Sequence, residues 1–458
     1  MALSNAQWFA NPGVTYEIDN SCRFDGSSSY MTKTFASAGN LKTWTQSFWM
    51  KRSEISGSAS AYLLNTANGA NTGSLIMGND TFQWMHGVGG GYNNRNTTQV
   101  FRDPGAWMHI VIQLDTTQAS EPNRSKLWVN GEQVTAFSTA QTIAEDATTY
   151  INDDEYEHGI GRNEYDNNQY FSGYLAEFIF VDGTALDADS FGETNSTTGQ
   201  WVPKDPSGVT FGSNGFWLDF ANSSALGNDV SGNDQDWTTS GLAAADQMTD
   251  SPTNTVSTLN PLGMTASMVL SDGNLVATPG STNYRWVGST ISIPSTGKWV
   301  FEAVRTAGST GAYIGIGDAV AASGVDVGTG EWYCVNVDTG NIEKRSGGSS
   351  TTVQSGSGDL GSSVIRVEYN ADDDEIQFFD DGSSMYSAAT AGLSPQNDDL
   401  FFLLGPYATY SNAITATFNE DNFAGTPTTD FKGLSTSNFS DPTIANPTEY
   451  FETVLYTG

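Results

Sequence analysis

Between Trp107 and Val134 the chain reads WMHIVIQLDTTQASEPNRSKLWVNGEQV. Met108, Ile110, Ile112 and Leu114 put an apolar side chain at every second position, with His109, Gln113 and Asp115 on the opposite face. That period of two predicts a strand with one face on a core. A polar excursion and a second strand follow, and Asn130-Gly131 supplies the positive φ angles of a type I′ hairpin turn. Similar patterns predict a strand at Cys22-Arg23-Phe24, a turn at Asp25-Gly26 and a strand around Tyr30. TQSFWMK (45–51), the pair 75–77 and 82–85, and a long strand over 174–181 ended by Asp182-Gly183 continue the series.

A second β-rich block contains GKWVFEAV (297–304), AYIGIGD (312–318) and EWYCVNVDTGNIEKR (331–345). VIRVEYNADDDEIQFFDDG (364–382), DLFFLLG (399–405) and AITATFN (413–419) complete it. Between the blocks the composition shifts to Gly, Asn, Asp, Ser and Thr, with one clear strand at Phe216-Trp217-Leu218-Asp219-Phe220. This stretch is too long and too aromatic for a free linker, which predicts an interdomain joint packed onto a domain surface. The reading is all-β: two antiparallel β-sandwiches of the jelly-roll type in tandem. Its parts are a segment 1–15, a first sandwich over 16–198, a Gly/Asn-rich joint over 199–261, a second sandwich over 262–430 and an extended tail over 431–458. Pro442 and Pro447 space that tail into extended pieces.

Composition narrows the use. A length of 458 residues suits two or three domains, and 38% hydrophobic residues can fill real cores. A net charge of −34 argues against nucleic acid and anionic lipid, which need clustered Lys and Arg. Such acidity keeps a protein soluble at high salt and fits a marine or halophilic setting. No stretch reaches the ~18 apolar residues of a membrane span, and MALSNAQWFANPG has no basic and apolar leader pattern. Cys22 and Cys334, the only cysteines, make no disulfide framework and suit a reducing cytosol.

The order Phe24-Asp25-Gly26, TQSFWMK, Trp107-Met108-His109-Ile110, Leu127-Trp128-Val129-Asn130-Gly131 and FSGYLAE (171–177) resembles the laminin-G-like, concanavalin A-like jelly roll. Trp299-Val300-Phe301-Glu302, Tyr313-Ile314-Gly315-Ile316-Gly317 and the hairpin over 364–382 resemble the SPRY fold. Taken together, TYEIDNSCRF, the first block, WVPKDPSG…GFWLDF…DVSGNDQDW and the second block resemble tail-fibre or virion-appendage proteins of marine tailed bacteriophages. That resemblance implies a non-enzymatic structural protein on the virion surface, assembled in the host cytoplasm and used in host attachment. It implies other virion proteins as partners, a homo-oligomer (a trimer), virion attachment through residues 1–15, and contact with a host-surface glycan. The alternatives are a polysaccharide depolymerase on a concanavalin A-like fold, and a purely architectural spacer or oligomerisation protein.

Catalytic patterns are sparse. Glycosidases need two carboxylates across a sugar subsite. Glu17-Ile18-Asp19 and Glu177 do not extend into an E-x-D-x-x-E pattern, and Asp153, Asp154, Glu155 and Glu157 fall in a loop. No G-x-S-x-G, P-loop or H-E-x-x-H is present, and His86, His109 and His158 lack zinc-ligand spacing. Laminin-G-like modules often hold calcium at the rim. Asp229, Ser231, Asn233 and Asp236 alternate oxygen side chains as a Ca²⁺ loop would, although a Gly/Asn-stabilised turn is the better reading of them. For sugar, the expected contacts are Trp128, set opposite Leu127 and Val129, with Tyr92 and Asn94 in one loop and Tyr165 and Asn167 in another.

Overall fold

The computed structural model describes residues 15–55, 61–67, 74–88, 91–264, 268–280, 286–308, 311–323, 330–388, 399–406 and 412–440, without the side chains of 74–76 and 84–92. They divide into two compact units with the boundary between Asn254 and Thr255.

The first unit has two antiparallel sheets. One runs in the order Glu132–Gln133, Ser125–Val129, Trp107–Asp115, Thr43–Arg52, Ser172–Asp182, Ser21–Asp25 and Gln247–Met248. The other runs Phe137–Ala140, Gly91–Thr97, Thr81–Val88, Ser74–Gly78, Ala61–Thr66, His158–Ile160, Tyr30–Lys33 and Thr238–Ser240. Alternate residues of the first sheet, among them Phe48, Ile110, Ile112, Phe178 and Phe180, meet Met31, Leu63 and Phe82 of the second in one core. The Asn130-Gly131 turn has φ of 50° and 80°, as the hairpin reading requires.

The opposite face of Trp107–Asp115 departs from expectation. His109 and Val111 are buried too, because the first sheet carries a further layer on its outer side. Val111, Trp128, Ile179 and Val181 pack there against Ala188, Phe191 and Phe211. Beside them Ile18, Trp49, Trp107, Tyr174 and Ala176 form a second apolar patch flanked by Tyr16, Trp201 and Met248. Lys51 and Asp250 close this region as a buried ion pair at 2.8 Å, with the Trp107 indole N–H donating to the same carboxylate at 3.0 Å.

The joint expected over 199–261 is therefore corrected. Phe216–Leu218 pairs with Ser172–Asp182, Thr238–Ser240 with Tyr30–Lys33, and Gln247–Met248 with Ser21–Asp25. Phe216 lies in the core between Phe178, Phe180 and Trp237, at ring-centroid distances of 6.2, 5.7 and 5.1 Å. Up to Asn254 the stretch completes the first sandwich; from Thr255 onward it belongs to the second unit, where Val256 and Leu259 join the core.

The second unit is again two antiparallel sheets. One is ordered Met268–Ser271, Val276–Pro279, Ala413–Thr417, Lys298–Ala307, Val364–Asn370, Glu375–Asp380 and Ser383–Ala388. The other is ordered Val287–Gly288, Leu400–Pro406, Ala312–Asp318, Trp332–Asn336, Ile342–Ser346 and Ser349–Gln354. Phe301, Phe402 and Phe418 stack at its centre. The start of the expected tail belongs to this body: the Lys432 carbonyl accepts from the Val300 N–H at 3.0 Å, and Leu434 is fully buried. Residues 1–14 and 441–458, including most of the expected attachment segment and the rest of the tail, lie outside the described residues. The fold is all-β, two units each built of two antiparallel sheets, as the alternation indicates.

Candidate functional site

The outer face of the second sheet of the first unit carries an arrangement that the strand pattern alone does not display. At its middle Gly159 pairs with Asn65 on one side and Thr32 on the other. Lacking a side chain, Gly159 leaves room above the sheet, and the Glu164 carboxyl occupies it: a Cβ on Gly159 would stand 2.7 Å from Glu164 Oε2. Asn65 holds the following loop in place through both ends of its amide. Its Nδ2 donates to the Arg162 carbonyl, and its Oδ1 accepts from the Glu164 N–H at 2.8 Å. Arg162 then pairs with Glu164 and lays its guanidinium 3.5 Å from the centroid of the Tyr30 ring, with Tyr170 nearly edge-on to that ring at 6.2 Å.

The loop beyond is shaped by its own amides. The Asn163 N–H donates to the Asn168 carbonyl at 2.9 Å, and Asn163 Nδ2 donates to Gln169 Oε1 at 2.9 Å and Asp166 Oδ2 at 3.2 Å. Asn167 and Gln169 take the left-handed conformation, both at φ 55°, which closes the turn. Tyr165 stands at the tip, 51% exposed.

Burial raises the Glu164 carboxyl above the ordinary glutamate range; the Arg162 charge pulls it back and the neighbouring Glu157 carboxylate raises it further. Glu164 Oε2 and Arg162 Nε are buried without a hydrogen-bond partner. Glu164 thus offers an acceptor and Arg162 a donor without partners, near the Tyr30 ring, groups whose chemistry suits hydroxyls. Among the described residues no group of three or more His, Cys, Asp or Glu side chains could hold a metal ion.

The expected ligand residues separate into two places. Tyr165 and Asn167 belong to this loop. Asn94 and Tyr92 lie on Gly91–Thr97, which three strands separate from His158–Ile160, roughly 19 Å at ordinary strand spacing. The Asn94 N–H donates to Gln141 Oε1 at 2.7 Å, and the Tyr92 side chain lies outside the described residues. Trp128 is a correction. It points away from the core as expected, yet it is only 9% exposed, because Phe191 and Phe211 belong to the apolar cluster built over it.

The calcium reading of 229–236 does not fit the donor set. The Asp229 carboxylate already accepts from the Trp217, Ser231 and Gln235 N–H groups and the Ser231 hydroxyl, at 2.8–2.9 Å. Asp236 Oδ1 accepts from the Asp229 N–H, and Asn233 turns its amide nitrogen toward the Gly212 and Gly215 carbonyls. The loop is a turn satisfied by its own hydrogen bonds.

Two further groups invite a chemical reading. Ser47 Oγ lies 2.8 Å from His109 Nε2, a serine–histidine spacing. The Trp201 indole N–H donates to His109 Nδ1 at 3.0 Å, so Nδ1 is the acceptor and the proton sits on Nε2, donated to Ser47. A general base needs the opposite tautomer. Burial pushes this imidazole down to about 3, and Trp49 stacks on it with ring centroids 4.7 Å apart. The pair is structural.

Glu177 sits at a β-bulge between Ala176 and Ile179 with φ 48°, a conformation that turns its side chain out of the strand's alternation. Tyr16 donates its hydroxyl to Glu177 Oε1 at 3.0 Å, while Oε2 is buried unpartnered. Burial, with the charges of Asp219 and Asp205 behind it, pushes this carboxyl up to about 8.

Arg162, Asn65 and Gly159 escaped the reading of the sequence and Tyr30 was read only as a strand position, whereas Glu164 lies in the loop 163–168 that the sequence offers for sugar contact. The available signal was Arg-x-Glu directly after HGIG, where period two sets both charges on one side.

No curated protein matches the chain. Among solved structures it is similar to a protein of Bacteroides ovatus provisionally described as carbohydrate-binding (16% identity, TM-score 0.36), over 50% of this chain and 60% of that one. It is similar to the SPRY domain of human HERC1 (12%, TM-score 0.27), over 34% of this chain and 96% of that one. It is also similar to domains LG4-5 of the mouse laminin α1 chain (10%, TM-score 0.28), over 93% and 90%. Residues 25–190 match the family Laminin_G_3, described as the concanavalin A-like lectin/glucanases superfamily, and the first unit carries a laminin-G-type, concanavalin A-like domain.

Proposed function

We propose that the protein is a non-enzymatic carbohydrate-binding protein of a virion surface, and that its first sandwich holds a host-surface glycan on the outer face of the second sheet. The observation that carries the glycan reading is the buried Arg162–Glu164 pair on Tyr30, with an unsatisfied carboxyl oxygen and the exposed Tyr165 next to it in sequence, inside a concanavalin A-like domain. The virion reading rests on the ordered resemblance along the sequence and on the acidity, with other virion proteins and further copies of this chain as partners.

The test is binding of the full chain to panels of bacterial surface polysaccharides. Tyr165→Ala removes an exposed ring at no cost to the core and should weaken binding roughly fivefold with unchanged melting, the worth of one ring contact of about 1 kcal/mol. Arg162→Ala should weaken it roughly tenfold to a hundredfold, the range for a buried hydrogen bond to a charged group. Flat binding across the panel would overturn the glycan reading. Absence of the protein from purified particles, checked by mass spectrometry and surface labelling with antibody, would overturn the virion reading.

A depolymerase is the second reading, favoured by one feature: Glu157 lies beside a carboxyl that burial keeps protonated more readily, as a general acid requires. Release of reducing ends from a bound polysaccharide, lost in Glu164→Gln, would establish it; binding without release would end it.

A further inference from the structure

We propose that the strand Ser349–Gln354 of the second unit is a docking edge for a second copy of this chain, joined antiparallel about a two-fold axis. Among the described residues this strand ends its sheet, paired on one side only, to Ile342–Ser346. All six of its residues are exposed, so both faces and one edge meet solvent. A two-stranded ribbon extending past its core is marginal in water, and an open edge is a template for pairing.

Sheet edges are ordinarily guarded by charge, proline or a bulge on the open side. Here the stretch SGGSSTTVQSGSG (346–358) contains no charged residue and no proline. Its register shift, between Ile342 and Glu343, lies at the far end of the inner pairing. Val353 presents an apolar side chain to solvent at 39% exposure. The end strand of the other sheet, Ser383–Ala388 (SSMYSA), is equally free of charge, and the Gln354 amide donates to its Met385 carbonyl at 2.8 Å, which puts both uncharged edges on one side of the sandwich.

Charge selects the occupant. Two copies that each carry a net −34 repel over most of their surfaces. A basic partner would gain nothing from an uncharged strip, whereas an identical acidic copy can approach closely only along one. Both open edges lie on the same side, so a two-fold sets like against like and closes, while a head-to-tail ring would need edges on opposite sides.

The test is sedimentation of the full chain across protein concentration and salt. A dimer is expected, tightening as salt screens the repulsion. Val353→Asp and Thr351→Asp, each doubled across the two-fold, should weaken it roughly tenfold or more, as like charges set opposite each other do. Both positions are exposed, so melting should be unchanged and should report intact folding. Thr352→Cys, in a chain whose two native cysteines are buried, should give a disulfide-linked dimer. A wild-type monomer at every concentration, a trimer, or a dimer indifferent to both aspartates and left unlinked in the Thr352→Cys variant would each overturn the proposal.

Discussion

His109, His158 and Glu177 are three buried groups of the first unit whose contributions to its pH response have opposite signs. Burial holds His109 at about 3 and His158 at about 4, against 6.5 for an ordinary imidazole. Between those values and 6.5 the unfolded chain binds more protons than the folded one, so stability falls as pH drops below 6.5. Glu177 is raised from 4.5 to about 8, so there the folded state holds the extra proton and stability falls as pH rises from 4.5 to 8. Between 4.5 and 6.5 two histidines outweigh one glutamate. These three groups alone therefore predict greatest stability near pH 6.5, read as a maximum in melting temperature. Glu177→Gln keeps an acceptor for Tyr16 and should raise stability at about pH 8 by an amount on the order of a few kcal/mol, with no change at about pH 4. At the candidate site, Gly159→Ala would displace the Glu164 carboxyl, so glycan binding should fall while Tyr165 keeps its place. Residues of this kind were hard to read in the sequence. Glycine beneath a carboxylate, or a histidine whose tautomer an indole fixes, depends on partners outside the local pattern.

At the scale of elements, the longest apolar strands were legible; Gly91–Thr97 read as a loop, and Phe216–Leu218 read as a strand but without its partner. Thr43–Arg52, Trp107–Asp115 and Ser172–Asp182 declare themselves by apolar alternation. Phe216–Leu218, Thr238–Ser240 and Gln247–Met248 have two or three residues each, too few to establish a period, and their polar surroundings resemble a connector. What places them is pairing to remote strands and the burial of Phe216 and Trp237. A chain ended at Asn254 should consequently give a cooperative melt of the first unit, whereas one ended at Thr198 should not, having lost Phe216, Phe211 from the roof over Trp128, and Asp250 opposite Lys51. Phe216→Ala in the full chain should cost about 3–5 kcal/mol, measured by denaturant titration. Trp128 shows the same limit from the other side. Its direction follows from strand parity, but its covering comes from Phe191 and Phe211, which parity says nothing about.

For the whole molecule, two cores that share no residue predict two unfolding transitions in calorimetry, with Phe216→Ala moving only the one that belongs to the first unit. The net charge adds a second expectation: both transitions should rise from low to moderate salt as self-repulsion is screened. The roof over the first sheet has a practical corollary. It gives the lectin-type domain a front and a back. The back is closed by aromatic side chains around His109 and Trp201, while the front carries Tyr165 and the Arg162–Glu164 pair. A dye or affinity tag on an exposed back-side position such as Asp189 should leave ligand capture untouched, and the same group at Asp166 should block it. A reagent built on this domain therefore has to be immobilised facing outward.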